Sequence, residues 1–140
     1  MKALLTLAVF GLGAIAAPIP KELKSPKDHQ LIVGKWQQES LSVHGVLAKN
    51  NGNMLFEFTT DGKCGTSFNN VMNLNATYSI DQTETPRRMK WASGPNNDWQ
   101  CVYELDGDKL LLGFVEPRTE LPKTIEPAHN LTLYTFTRVK

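Results

Sequence analysis

At 140 residues, with 15 basic and 14 acidic side chains and a formal charge of +1, the chain has the length of one domain and no charge bias. Without Lys2 the balance is 14 basic against 14 acidic, so neither nucleic acid nor an anionic membrane surface is an expected partner, since both need a clustered basic excess. Two cysteines and three dispersed histidines argue against a metal site, which needs clustered ligands.

Met1 to Ala17 reads as a secretory signal peptide. Lys2 provides a positive start, Ala3 to Ile15 is uncharged and apolar, and Ala14-Ile15-Ala16 offers small residues for cleavage after Ala16 or Ala17. The run is shorter than the ~20 residues a membrane-spanning helix needs, and Pro18 and Pro20 follow at once. The expected address is secreted or periplasmic. Residues 18–27, rich in proline and lysine, form an extended lead-in. The domain proper is 28–140.

Ser25-Pro26-Lys27-Asp28 predicts a short helix with Ser25 as N-cap and Asp28 near the positive end of the dipole, ended by Gly34. Strands then follow at hairpin spacing. Gly34 to Val43 is the first, Met54 to Thr60 the second, Cys64 to Phe68 the third, Thr77 to Asp81 the fourth and Arg88 to Ala92 the fifth. Trp99 to Val115 is a hairpin around Asp106-Gly107-Asp108, supplying the sixth and seventh, and Leu131 to Val139 is the eighth. With Gly107 and Asp108 as the loop, Leu105 faces Leu110 and Tyr103 faces Leu112. For the hairpin at Asp61-Gly62 the register that gathers the aromatics pairs Phe56 with Phe68 and Phe58 with Thr66. Eight short strands with almost no helix predict an all-β fold, an eight-stranded antiparallel up-and-down barrel or a sandwich.

In the barrel, Phe56, Phe58, Phe68, Tyr78, Ile80 and Met89 point inward, and so do Trp91, Tyr103, Leu105, Leu112 and Phe114. An interior of this size either holds one small apolar or amphipathic ligand or is a solid core. Cys64 and Cys101 both point inward and are a candidate disulfide of an exported chain, although their strands are not neighbours and a bridge would require a flattened barrel.

No pairing of a nucleophile with a base, no phosphate-cradling loop and no zinc-protease helix occurs, so no enzyme activity and no cofactor are expected. His29, His44 and His129 read as exposed loop residues, and Asp106 and Asp108 as turn formers. Arg87, Arg88 and Lys90 form a basic run expected on a solvated edge or outer face. Asn75-Ala76-Thr77 and Asn130-Leu131-Thr132 have the form of glycosylation sequons.

A short helix, Gly34-Lys35-Trp36 opening the first strand and Arg138 late in the last one resemble the lipocalin pattern. The resemblance implies that Trp36 closes the barrel floor with Arg138 packed across it, a guanidinium stacked on an indole. Tyr78-Ser79-Ile80-Asp81, Pro86-Arg87-Arg88-Met89, Tyr103 to Leu110 and Leu133 to Arg138 further resemble a family of small secreted planctomycete proteins with a lipocalin-like domain and no established activity. Cys64, Cys101 and Leu121-Pro122 depart from that pattern. The function expected is binding of a small ligand inside the barrel. The alternative is a secreted protease-inhibitor-like or adhesion module acting through residues 18–27 and the loops, over a solid core.

Overall fold

The computed structural model describes residues 27–49 and 54–140. The expected signal peptide and cleavage site, most of the expected lead-in and the expected helix cap Ser25 lie outside the described residues.

Helix α1 (Asp28–Leu31) is a single turn, and it precedes β1 (Gly34–Val43), β2 (Val46–Ala48), β3 (Leu55–Phe58), β4 (Lys63–Phe68) and β5 (Val71–Asp81). The chain continues through β6 (Arg87–Ala92), β7 (Asp98–Asp106), β8 (Lys109–Val115) and β9 (Leu131–Arg138). Strands β1 and β3 to β9 pair in sequence order, all antiparallel, and β1 pairs again with β9 to close an eight-stranded up-and-down barrel. Closure pairs each wall strand on both sides and leaves the short β2, which pairs with β1 alone, as the end of the sheet. Strand β1 is shared: Gly34 to Gln37 pair with β3, whereas Leu41 to Val43 pair with the short return strand β2.

Turn chemistry accounts for the hairpins. Gly107 adopts φ 59° in a two-residue loop, so Leu105 faces Leu110 and Tyr103 faces Leu112, as the spacing predicts. His44 and Gly45 join β1 to β2 with positive φ, and Asn69 and Asn70 do the same between β4 and β5. That asparagine pair extends β5 back to Val71, six residues before the start read from the sequence.

The β3–β4 hairpin differs from expectation. Phe58 faces Cys64 and Phe56 faces Thr66, so the ladder is two residues out from the predicted register, and side chains keep their faces while Phe68 runs beyond the wall. The cause is Thr59. Its N–H donates to the Lys63 carbonyl at 2.8 Å, its hydroxyl caps Asp61, and its carbonyl accepts from Gly62 N–H, which closes the loop tightly. One strand over, Gly65 sits at a bulge where a Cβ would lie 1.7 Å from the Asn73 carbonyl oxygen, so only glycine fits.

Two cores result. Inside the barrel Trp36, Phe56, Phe58, Met89, Tyr103 and Phe136 are buried with Leu105, Leu110 and Leu112. Outside it, Val102, Val115, Leu131 and Leu133 form a second cluster, covered by Leu121, Ile125 and Ala128 of the segment joining β8 to β9. That segment gives β7, β8 and β9 an apolar outer face as well as an inner one, so these strands lose the polar-out alternation of a one-sided sheet.

Candidate functional site

The two ends of the barrel differ chemically. At one end α1 crosses the opening and is pinned by side chains from several strands. Ile32 is buried, and its carbonyl accepts from the Trp36 indole N–H at 2.8 Å. The Arg138 guanidinium lies 4.2 Å from the centre of the Trp36 rings and donates to the carbonyls of Val33 and Leu31. Its Nε also meets Asp108 at 3.3 Å, which ties the central hairpin to the last strand. Trp36 and Arg138 are thus stacked together beneath α1 at this end.

Beside it lies a cluster that sequence reasoning missed. Asp28 is only 6% exposed, and its carboxylate accepts from Arg87 at 2.8 Å and from the Tyr103 hydroxyl at 2.7 Å. The Gln82 side chain accepts the Asp28 N–H at 2.8 Å, supplying a partner for the first turn. Lys27, which makes no side-chain cap, stands at the N-cap position expected of Ser25. The Asp28 carboxylate is turned to the barrel because a desolvated charge needs a countercharge. Arg87 thus leaves the solvated run assigned to it and packs its guanidinium over the Tyr103 ring, while Arg88 and Lys90 pair with Glu84 and Asp98.

The opposite end is open. Below its rim is a cavity of about 370 Å³. Phe56 and Trp91 form its base, Trp99, Phe114 and Tyr134 its half-buried walls, and Gly65, Thr66, Thr132 and Asn75 the remaining surface. The rings support one another: Phe56 and Phe114 lie 5.7 and 5.5 Å from Trp91, Trp99 lies 6.2 Å from Phe114, and Tyr134 stacks on Phe136 at 5.6 Å. Such offset and edge-on contacts hold aromatic walls in fixed orientations. The size is at the small end for ligand pockets.

Of the ten residues expected to line a ligand site, Phe56, Trp91 and Phe114 border the cavity. Phe58, Tyr78, Met89, Tyr103, Leu105 and Leu112 belong instead to the packed half beneath it. Phe68 is 72% exposed at the end of β4, a correction that follows from the β3–β4 register. The interior is thus solid toward the floor and hollow toward the mouth.

Trp99 and Tyr134 are wall residues that the inward set omitted. Both were within reach of the period-two rule, since Trp99 shares parity with Cys101 and Tyr103, and Tyr134 with the buried Phe136. Thr66, Thr132 and Asn75 carry no comparable signal, because polar residues near a strand end read as solvent-facing.

Cys64 and Cys101 are buried free thiols, not a bridge. Strands β4 and β7 are separated by β5 and β6, so the thiols reach the interior from non-adjacent wall positions. Burial pushes the Cys64 thiol up to about 12, and burial together with the nearby Cys64 raises Cys101 further. Neither is a nucleophile at neutral pH. Among the described residues no group of three or more potential ligands could hold a metal ion. His44 meets the His129 carbonyl at 2.7 Å and lies 3.8 Å from Glu116, so it ties the mouth loops together.

No protein-family model, curated protein or solved structure matches the chain.

Proposed function

We propose that the protein is an exported, non-enzymatic, lipocalin-like barrel that binds one small apolar or amphipathic molecule in the mouth cavity. The observation that carries the reading is the asymmetry of the interior: filled and sealed by Trp36 and Arg138 at one end, hollow and aromatic at the other. A barrel built only for stability would be filled throughout, because an unfilled apolar cavity costs packing energy. Aromatic walls with a few polar atoms at the rim are the composition of a small-molecule site. Export rests on the leader-like residues 1–17.

The test is tryptophan emission during titration with an apolar fluorescent probe. Binding is expected to quench Trp91, and Trp91→Phe, which keeps a ring in the packed base, is expected to weaken the probe while lowering the urea midpoint less than Trp36→Ala does. A panel of lipids, pigments and aromatic probes that leaves emission unchanged would remove the binding function and leave the barrel. The inhibitor-like alternative predicts that result together with loss of partner binding on deletion of residues 18–27.

A further inference from the structure

We propose, resting on the reading of the mouth cavity as a ligand site, that its occupant is an uncharged planar aromatic molecule with a hydrogen-bonding group at its outer end, and that Tyr134 recognises that group. Three observations converge on this. The first is charge. None of the described residues lining the cavity is Asp, Glu, Lys, Arg or His, so a carboxylate or ammonium drawn inside would meet no countercharge. The long-chain carboxylic acids that many apolar cavities accept are therefore a poor fit here.

The second is the gradient of burial. Trp91, at the base, is 8% exposed, the walls are half-buried and Asn75 at the rim is exposed. Thr66 and Thr132 sit between these levels, so polar atoms accumulate toward solvent while the base is purely aromatic. Two indoles and two phenyl rings at tilted and perpendicular angles present both faces and edges, which complement a flat aromatic guest better than a flexible chain.

The third is a spare hydroxyl. The protein has three tyrosines, and two are committed within the fold: Tyr78 donates to the Thr59 carbonyl at 2.8 Å and Tyr103 to Asp28 at 2.7 Å. The Tyr134 hydroxyl has no hydrogen-bond partner among the described residues and borders the cavity. Its ring is held between Phe56, Phe114 and Phe136, so the hydroxyl is presented in a fixed position. Burial raises its ionisation above the ordinary tyrosine range, so at neutral pH the group is, as an ordinary tyrosine already is, a neutral donor and acceptor.

Calorimetric titration of the mature chain at neutral pH with 2-naphthol, 2-naphthoate and decanoate tests the assignment. The expected result is binding of 2-naphthol, with both carboxylates weaker by at least roughly tenfold. Tyr134→Phe is expected to weaken 2-naphthol by roughly threefold to tenfold, the worth of one hydrogen bond, and to leave naphthalene unchanged. Because the variant keeps its ring, its thermal midpoint should match the parent's. If either carboxylate binds as tightly as 2-naphthol, or if Tyr134→Phe leaves 2-naphthol unaffected, the proposal is overturned while the cavity remains a ligand site. If no probe binds, the ligand site itself is refuted and the proposal with it.

Discussion

Trp36 carries three different interactions at one position: full burial, an indole hydrogen bond to Ile32, and the Arg138 guanidinium against its rings. Truncation removes all three and opens a void under α1, so Trp36→Ala is expected to cost roughly 3 to 5 kcal/mol in urea unfolding. Parent-like stability would mean that the floor lies elsewhere. The thiols give a second residue-level expectation, with a definite sign. Below pH 9.0, the ordinary value, Cys64 holds its proton in both states. As pH rises past 9.0 the unfolded chain releases that proton first, and the folded thiol keeps it until about 12. Stability is therefore undiminished below pH 9.0 and falls across that window. Cys101 and the buried tyrosines, raised by burial, act in the same direction. Urea midpoints measured from pH 8 to 11 check this, and an alkaline rise would contradict it. A thiol reagent should label neither cysteine in the native protein at neutral pH and both after unfolding.

The helix and the hairpins show unequal legibility, and the reasons are physical. In the β7–β8 hairpin, Asp106-Gly107-Asp108 permits one tight turn, so the register followed from residue types alone. In β3–β4 the deciding group is the Thr59 backbone and hydroxyl, and no pattern of apolar side chains reports on it; gathering the aromatics led to the wrong partner for Phe68. Helix α1 was legible as a helix, but its purpose was not. Asp28 and Arg87 are 59 positions apart, and only the barrel brings the carboxylate to that guanidinium and to Tyr103. Losing the charge while keeping the shape, Asp28→Asn should lower stability by roughly 1.5 to 3 kcal/mol, the range for hydrogen bonds to a charged group. An urea midpoint equal to the parent's would show that α1 is held by Ile32 and Trp36 alone.

Over the whole molecule, β9 and β1 close the wall, the floor joins the first and last segments of the domain, and the mouth carries the cavity. The eight wall strands were legible because turn signals recur at short intervals, whereas the three-residue return strand β2 was not. The division of the interior into a filled and a hollow half was not, because period-two alternation tells which face a side chain takes and not how far it lies from the end. Phe56 and Phe58 are neighbours on one face, yet the first borders the cavity and the second is sealed in the core. The three tryptophans sample this division, with Trp36 in the floor, Trp91 at the cavity base and Trp99 in its wall. Titration of the nitrogen-labelled protein with 2-naphthol, followed through the three indole N–H resonances, reads all of them at once. Shifts of Trp91 and Trp99 with Trp36 unmoved are predicted; a titration that leaves Trp91 and Trp99 in place, or moves Trp36 instead, would contradict a ligand site at the mouth.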